Sequence, residues 1–595
     1  MKILGISAHY HDSAAALVSD GVPVCAVQEE RLSRHKNDAA FPLGAIEWCL
    51  DHAGLEPADL DAVVFYERSM RKFDRILTSA LRTFPRSWRS FPHAIKNSLG
   101  EKVWVRGIIS SYLGVPRSKI LFASHHHSHA AAAFLTAPTR RAAILTADGV
   151  GEWATLTVGH GERGPGHDGH TDRGARITLL REVRYPHSLG MLYSTFTAYL
   201  GFAVNEDEYK VMGLAAYGRP TMTEAVRKLI RRTPDGAFAL DMDYFEYQTT
   251  AARSYSPRFV GLFGRPRNPY EPIDLETADG QRFADCAASV QRVLEDTLVD
   301  LTRALHDETG LPDLCLAGGV ALNGVANARI LAESGFERVF VPSAPGDAGC
   351  ALGAALYADR VYLGNPDRDV PDHPFWGPTV DGQELARAAR EDDQIVEELD
   401  EAALFERVAD QLAAGHIVGW MDGASEFGPR ALGHRSILAA PHAAQMRERL
   451  NRDIKYREEF RPFAPVVPIE SADRYFELPP GGARLGRFMS GVFPVRPEWR
   501  TRLAATTHVD GSARVQALER AMAPRLHALL LAYGRRSGIP VLLNTSFNVA
   551  GEPIVNRALE GYSTFRRCGI DALVAASTVV TKRASPPQRP KGAPG

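Results

Sequence analysis

The segment Ser124-His-His-His-Ser-His129 contains the residues best suited to hold a metal ion. The alanine-rich run that follows it predicts a helix, and residues four apart lie on one face of a helix. His125 and His129 would therefore offer two imidazoles to a single cation. Glu is absent from the second position, which excludes the zinc-protease pattern. On this local sequence alone, a solvated histidine cluster is an equally good interpretation.

Two aspartates would complete such a site with hard oxygen ligands. Asp148 follows an apolar predicted strand, and Asp347 lies in Pro345-Gly-Asp-Ala-Gly349, ahead of the apolar segment Cys350–Leu356, which we predict to be helical. Two His and two Asp suit a first-row divalent metal such as iron, manganese or zinc. Either Asp alone would be interpreted as a turn or capping residue, so the prediction depends on the combination.

Glycine loops beside predicted strands suggest contacts to phosphate. They are Asp148–Gly151, Gly318–Gly319 and Gly346–Gly349. Without side chains, such loops bring backbone N–H groups close to phosphate oxygens, and the start of a following helix adds a favourable potential. Ordinary turns are the alternative. The sequence contains neither a Walker A motif nor the Gly-x-Ser-x-Gly elbow of serine hydrolases.

Basic side chains concentrate in the C-terminal part of the chain, within Gly428–Ser436 and Lys455–Pro465. Glycines, prolines and aromatic residues interrupt them, and they do not repeat at a helical period. We expect them to converge on a small phosphorylated or carboxylated ligand, with an ordinary salt-bridge network as the alternative. Together with two more distant residues, the group comprises Arg430, Arg435, Lys455, Arg457, Arg461, Arg514 and Ser546.

The elements that must position the histidines and aspartates repeat along the chain. Two segments have the order strand, polar loop with an acidic residue, strand; they lie around Asp12 and Asp148. A third buried strand, Leu314–Ala317, ends in glycines, and the segment Asn323–Leu331 after it is predicted to be helical. This pattern predicts a duplicated α/β domain with a cleft between its halves, as in the actin-like (ASKHA) fold.

Composition limits the classes of function. The chain has 595 residues, of which 45% are hydrophobic, so it can build two or more globular cores. Lys plus Arg (69) nearly balances Asp plus Glu (71), which disfavours a dedicated nucleic-acid binder. No apolar run approaches the ~18 residues of a membrane span. We expect a cytoplasmic monomer or homodimer with neither a nucleic-acid nor a membrane partner.

We predict two domains and a tail. The first domain spans residues 1–365, and an interval rich in Pro, Asp and Gly follows it. The second domain spans residues 383–581 and has an early helix over Glu401–Ala414. Residues 582–595 can bury little apolar surface, and we expect them to be disordered.

These motifs together resemble the O-carbamoyltransferases of the NodU/CmcH family. The resemblance implies a first domain similar to TsaD-type threonylcarbamoyl transferases and a second α/β domain similar to YrdC. Ala216 departs from the pattern, since the family commonly has proline there. The matching stretches are Gly5–Ala16, Gln28–Pro42, His125–Phe134, Asp148–Thr155, Glu208–Ala215, Leu316–Asn327, Gly346–Leu352, Glu426–Leu438, Lys455–Pro465 and Asn544–Val555.

The resemblance also implies a reaction and its participants. Carbamoyl phosphate and ATP would form a carbamoyl-adenylate in the second domain. The first domain would then pass the carbamoyl group to a hydroxyl of a small molecule, either a natural product or a saccharide. Two cofactors are implied besides ATP: iron(II) as the divalent metal, and Mg²⁺ accompanying the nucleotide.

The same resemblance distributes roles among residues of this sequence. The metal ligands would be His125, His129, Asp148 and Asp347. The catalytic residues would be His11, Asp12, Lys455 and Arg461, with His11 and Asp12 facing the acceptor and Lys36 a less certain match. The nucleotide and carbamoyl phosphate would contact Arg430, Arg435, Lys455, Arg461, Arg514, Ser546, Gly318, Gly319 and Asn323.

Two other functions stay open on the sequence. A tRNA threonylcarbamoyl-type modification enzyme would use the same domain types and a comparable adenylate, although the near-neutral charge disfavours it. A non-catalytic ATP-binding switch with an actin-like domain would explain the glycine loops but not the group of basic residues.

Overall fold

The strands of the first half of the chain form two large sheets. The computed structural model describes residues 1–88, 91–92, 104–164, 174–233, 236–250, 252–442, 444–458 and 460–583. The strands are β1 (Lys2–Ser7), β2 (Ala14–Ser19), β3 (Val22–Gln28), β4 (Ala62–Phe65), β5 (Ile120–Phe122), β6 (Arg141–Ala147), β7 (Ala154–Arg163), β8 (Ala175–Arg184), β9 (Ile230–Arg232), β10 (Phe238–Leu240), β11 (Asp313–Ala317) and β12 (Arg338–Phe340).

The two sheets have the same topology. Their strand orders are β3-β2-β1-β4-β5 and β8-β7-β6-β11-β12. In each sheet the first three strands pair antiparallel, and the last two join in parallel. The repeat confirms the predicted duplicated α/β domain of actin-like type.

Helices cover these sheets and hold the loops at the cleft. They are α1 (Glu30–Ser33), α2 (Leu43–Ala53), α3 (Ser69–Arg82), α4 (Val105–Leu113), α5 (His125–Phe134), α6 (Leu189–Tyr199), α7 (Glu208–Ala215), α8 (Thr223–Arg227), α9 (Pro257–Phe263), α10 (Ala278–Thr309), α11 (Gly324–Glu333) and α12 (Gly349–Tyr357).

Helix α12 lies unusually close to its neighbours. A Cβ atom at Gly353 would fall 2.0 Å from the Ser128 carbonyl oxygen of α5, and one at Gly5 of β1 would fall 1.9 Å from the Ala351 carbonyl oxygen. Only glycine permits such an approach. The tight packing places the loop before α12, which contains Asp347, beside the histidines of α5.

The C-terminal part of the chain is a second α/β unit. Its main sheet has eight strands in the order β14-β24-β23-β15-β17-β22-β18-β21. The strands are β13 (Phe375–Thr379), β14 (Ile395–Glu398), β15 (Val418–Met421), β16 (Ala424–Glu426), β17 (Arg435–Ala439), β18 (Ala464–Pro468), β19 (Val492–Pro494), β20 (Ser512–Arg514), β21 (Gln516–Leu518), β22 (Leu542–Ser546), β23 (Ala572–Ala575) and β24 (Thr578–Thr581).

Helices flank this sheet, and a π-helical turn over Asn451–Lys455 carries one of the predicted site residues. The predicted helix Glu401–Ala414 is confirmed one residue shorter. The helices are α13 (Gly382–Glu391), α14 (Glu401–Ala413), α15 (Ala444–Leu450), α16 (Ala472–Tyr475), α17 (Gly482–Gly486), α18 (Pro524–Ser537) and α19 (Ala558–Arg567).

The two units share buried surface. The core of the second sheet continues into C-terminal residues such as Val467 and Val515, and Phe427 packs into the core of the first sheet. The interval between the predicted domains contains β13, which pairs antiparallel with β16. Most of the predicted disordered tail, residues 584–595, lies outside the described residues. Among the helices described, none has the length and apolarity needed to cross a membrane.

Candidate functional site

Four residues of the duplicated domain meet: two from helix α5, one from the loop after β6 and one from the loop before α12. His125 Nε2 lies 3.0 Å from Asp148 Oδ2, and His129 Nε2 lies 3.2 Å from the same oxygen. His129 Nε2 is also 3.3 Å from Asp347 Oδ1. One ligand atom from each residue lies within 4.8 Å of the others. The structure therefore brings together the four predicted metal ligands, which we call the His/Asp cluster.

The elements of the fold orient these side chains. His125 and His129 start helix α5 one turn apart, and Asp148 directly follows β6. The other carboxylate oxygen of Asp148 accepts hydrogen bonds from Gly149 N (2.8 Å) and Gly319 N (3.3 Å). These bonds fix the carboxylate and leave Oδ2 facing the histidines.

The donor set of the cluster fits a divalent metal ion. Its four side chains are buried, and Asp347 Oδ2 and His125 Nδ1 have no hydrogen-bond partner among the described residues. Burial alone would raise the pKa of Asp148, but the hydrogen bonds from both histidines outweigh it and hold that pKa well below its usual range. Two buried carboxylates between two imidazoles match the ligands of first-row metals.

The histidine between the two ligands has a structural role. His126 Nδ1 lies 2.6 Å from Thr146 Oγ1, and its Nε2 lies 2.9 Å from the Ala154 carbonyl oxygen. Burial, with a smaller effect from the neighbouring histidines, lowers the pKa of His126 to about 3. His126 is therefore neutral at physiological pH and ties α5 to β6 and β7.

His11 and Asp12 occupy the loop between β1 and β2. His11 Nδ1 lies 3.0 Å from Asp12 Oδ2, and Asp12 adopts a left-handed backbone conformation with a φ of 56°. Burial alone would lower the pKa of His11, but the hydrogen bond to Asp12 and the charges of Asp347, Asp12 and Asp148 raise it to about 9. The influence of Asp347 and Asp148 places His11 within electrostatic reach of the His/Asp cluster.

The predicted nucleotide contacts of the first domain differ in their surroundings. Gly318 has a φ of 91°, and a Cβ atom there would fall 2.1 Å from the Ala147 carbonyl oxygen. Gly319 donates its N–H to Asp148, at the edge of the cluster. Asn323 instead caps α11, because its Oδ1 accepts from Ala326 N (3.1 Å) and its Nδ2 donates to Gln291 (2.9 Å). Nucleotide contacts of all three stay predictions.

Four arginines of the C-terminal unit converge with little opposing charge; we call Arg430, Arg457, Arg461 and Arg514 the arginine group. Burial lowers the pKa of Arg430 to about 10, and burial with the charge of Arg461 lowers that of Arg457 to about 9. Burial and the other three arginines hold the pKa of Arg514 well below its usual range. Arg514 Nε is buried and has no hydrogen-bond partner among the described residues. Such a group is suited to receive an anion.

Lys455 lies beside the arginine group and is fully engaged with one loop. Its Nζ donates to the carbonyl oxygens of Ser546 and Asn548 and to Asn548 Oδ1 (2.9 Å). Burial, followed by the charges of Arg457 and Arg461, holds the pKa of Lys455 well below its usual range. Asn548 was not among the predicted site residues, although it lies in the same polar loop as Ser546.

Arg435 is held by backbone carbonyls of its own domain and is not part of the arginine group. Its guanidinium is fully buried and donates to the carbonyl oxygens of Asn556 (2.9 Å), Asp422 (2.6 Å) and Pro378 (2.8 Å). Further bonds to the carbonyls of Gly423 and His434 engage the remaining N–H groups. The side chain connects several loops by hydrogen bonds, and we therefore leave Arg435 out of the proposed anion site.

Helix α7 and the loop before it connect the two groups. Tyr10, next to His11, donates its hydroxyl to Asn205 Oδ1 (3.2 Å). The ring of Tyr209 lies 4.6 Å from the Arg461 guanidinium, and Lys210 pairs with Glu458 at 3.0 Å. The sequence predicts a family motif over Glu208–Ala215 but no role for Tyr10 or Tyr209. Residues 205–210 thus contact both the His11 loop and the arginine group; we call them the bridging segment.

Comparison with known proteins finds two family matches, one N-terminal and one C-terminal. Residues 2–356 match the family described as Carbamoyltransferase N-terminus, and residues 409–582 match Carbamoyltransferase C-terminus. An uncharacterized protein, sll1178 of Synechocystis sp., is 42% identical over 98% of this chain and 97% of its own length. Nodulation protein NolNO of Sinorhizobium fredii is 36% identical over 97% of this chain and 80% of its own. The 3'-hydroxymethylcephem-O-carbamoyltransferase of Streptomyces clavuligerus is 33% identical over 63% of this chain and 65% of its own length.

Proposed function

The chain belongs to the carbamoyltransferase family, and on that premise we propose that it uses carbamoyl phosphate and ATP to carbamoylate a hydroxyl group of a small molecule. The observation that carries the proposal is the arginine group, which lacks enough opposing charge and adjoins the bridging segment to the His11 loop. The Streptomyces relative is named as an O-carbamoyltransferase of a hydroxymethyl compound, which supports a hydroxyl acceptor.

The first step would take place at the arginine group. Carbamoyl phosphate is hydrolysed to carbamate and phosphate, and a carbamate oxygen then attacks the α-phosphorus of ATP. The bond to pyrophosphate breaks, which leaves carbamoyl-adenylate. Carbamate itself is a poor electrophile because its carboxylate is resonance-stabilised, whereas the adenylate carries a leaving group. Arg430, Arg461 and Arg514 would offset the phosphate charge during this exchange, and Lys455 would hold the loop of Ser546 and Asn548 in place.

The second step would take place near His11. The acceptor oxygen attacks the carbamoyl carbon, AMP leaves, and the hydroxyl proton passes to a base. The Asp12 carboxylate accepts the Nδ1 proton of His11 in the neutral ring, which leaves Nε2 to take the proton of the acceptor. A divalent metal held by His125, His129, Asp148 and Asp347, iron(II) by family resemblance, would supply Lewis acidity toward phosphate oxygens.

The proposal is tested with purified protein, carbamoyl phosphate, ATP and a panel of alcohols, under metal-replete and oxygen-free conditions. We expect release of pyrophosphate and AMP, and a product heavier by one carbamoyl group in mass spectrometry. The Lys455→Ala variant should release no pyrophosphate, whereas His11→Ala should release pyrophosphate and form no product. Absence of carbamoyl phosphate-dependent pyrophosphate from the wild-type protein would contradict the proposed function.

A further inference from the structure

The loop that carries Arg430 is held at its tip by the N-terminal domain. The Gly428 N–H donates to Gln28 Oε1 (3.3 Å), and the Gly428 carbonyl oxygen accepts from Arg31 Nη2 (2.8 Å). Gly428 has a φ of 127°, and a Cβ atom there would fall 2.3 Å from the Ser343 carbonyl oxygen. Both polar groups of this glycine and its open Cα face therefore contact the N-terminal domain.

The base of the same loop is closed within the C-terminal unit. Glu426 Oε1 accepts hydrogen bonds from the N–H groups of Leu432 (2.8 Å), His434 (2.8 Å) and Arg435 (3.1 Å). Phe427 is buried in the core of the first sheet. Hydrogen bonds thus hold the loop both at Glu426 and at Gly428, which precedes Arg430 by two residues.

The Arg430 side chain itself contributes little to holding the loop in place. No hydrogen bond or ion pair joins it to another described residue, and its charge contributes to lowering the pKa of Arg514. Repulsion between like charges would move an unanchored loop away from the arginine group. The backbone contacts to Gln28 and Arg31 oppose that movement.

We propose that Gln28 and Arg31 are positioning residues for adenylation, which hold Gly428 and so fix Arg430 against the phosphates in the other domain. The proposal deepens the proposed function and rests on it. It makes the N-terminal domain a determinant of anion affinity at the C-terminal arginine group, through side chains that bond to the backbone of Gly428.

The test compares full-length variants by their KM for carbamoyl phosphate in pyrophosphate release. Gln28→Leu removes the acceptor for Gly428, and we expect KM to rise about tenfold, the effect of losing one hydrogen bond. Gln28→Glu keeps an acceptor oxygen, and its KM should stay within about twofold of the wild type. In an Arg430→Ala background, Gln28→Leu should cause no further rise, because both changes act through one side chain.

A matched control separates positioning from general loosening of the domains. Asn327 Nδ2 donates to the Ser490 carbonyl oxygen (2.9 Å), a contact between the same domains that does not involve the Arg430 loop. Asn327→Ala should leave KM unchanged, with thermal melts confirming that all variants fold. An equal rise in KM for Asn327→Ala, or a full effect of Gln28→Leu without Arg430, would overturn the proposal.

A measurement of pyrophosphate binding tests the positioning role of Gln28 without relying on turnover. Calorimetric titration with pyrophosphate should show about tenfold weaker binding to Gln28→Leu than to the wild type. Equal affinities would overturn the positioning role. If the wild type releases no pyrophosphate yet binds it more tightly than Gln28→Leu, the proposed function fails while the positioning role stands.

Discussion

Side chains of the same type differ in whether another residue of this protein forms hydrogen bonds with them. Arg435 donates its N–H groups to backbone carbonyls, whereas the buried Nε of Arg514, in the neighbouring arginine group, finds no acceptor among the residues that the structure describes. The same contrast separates His126, with both ring nitrogens bonded, from His125, whose Nδ1 has no partner among the described residues. Because an unpaired buried polar group costs about 1–3 kcal/mol, these residues are expected to gain a partner during function.

The His/Asp cluster predicts a loss of metal on substitution. His125→Ala should bind a divalent metal at least about tenfold more weakly than the wild type, because one of four ligands is gone. Elemental analysis after anaerobic reconstitution with iron(II), manganese or zinc measures the effect. His127→Ala is the matched control, since its Nδ1 bonds to Ser124, the residue before the same helix, and to no other residue in the part of the chain that the structure describes. Unchanged metal content in His125→Ala would reject the ligand assignment.

The raised pKa of His11 predicts a pH dependence of carbamoyl transfer. Below its folded pKa of about 9 the ring is mostly protonated and cannot act as a base, so the transfer rate should rise with pH and level off above about pH 9. Asp12→Asn removes the carboxylate charge that helps to raise this pKa and should shift the rise to lower pH. Single-turnover transfer rates measured across pH test this, and an unshifted profile in Asp12→Asn would contradict it.

Replacing Arg514 and replacing Arg435 should change the melting temperature in opposite directions, because Arg514 is repelled by its neighbours whereas Arg435 is held by hydrogen bonds. Arg514→Met removes a buried charge whose pKa is depressed by burial and by three arginines, so the melting temperature should rise by ~2 °C. Arg435→Met leaves several carbonyls unsatisfied and should lower it. Scanning calorimetry should also show that pyrophosphate stabilises the wild type more than Arg514→Met. A lower melting temperature in Arg514→Met would argue that the group is not strained.

At the scale of elements, close packing between helices sets the geometry of the cleft. Helix α12 approaches α5 through Gly353, and the loop before α12 delivers Asp347. The sheets and these helices could be predicted from sequence because apolar periodicity and turn residues are local. The contact between Gly428 and Gln28 could not, because it joins residues 400 positions apart. For the same reason Arg435 was grouped with Arg430: the sequence shows that both are arginines of one motif, but not which carbonyls surround each.

Helix packing predicts that Gly353 controls the metal site at a distance. A Cβ atom at Gly353 would fall 2.0 Å from the Ser128 carbonyl oxygen, so Gly353→Ala should push α12 from α5 and cost about 1–3 kcal/mol of stability. Metal content should fall with it. Gly346→Ala is the control, because no atom lies within 4 Å of a Cβ there although Gly346 adjoins Asp347. If Gly346→Ala lost as much metal, backbone flexibility rather than packing would explain the effect.

At the scale of the whole molecule, the bridging segment joins the two halves of the proposed reaction. Tyr10 contacts Asn205 near the His11 loop, and Tyr209 stacks on Arg461 of the arginine group. A second contact between the domains anchors the Arg430 loop of the C-terminal unit to Gln28 and Arg31. The arginine group thus depends on N-terminal residues at two separate places, as expected if a labile adenylate is transferred within one chain.

Transfer within one chain predicts that two inactive variants do not rescue each other. Lys455→Ala should make no adenylate, and His11→Ala should make adenylate but not transfer it. In an equimolar mixture, an adenylate released to water would reach the intact His11 of the first variant and restore product. Retention beside the bridging segment would prevent this, so we expect the mixture to form almost no carbamoylated product by mass spectrometry. A double variant marks the baseline, and product near half the wild-type level would show that the adenylate leaves the protein.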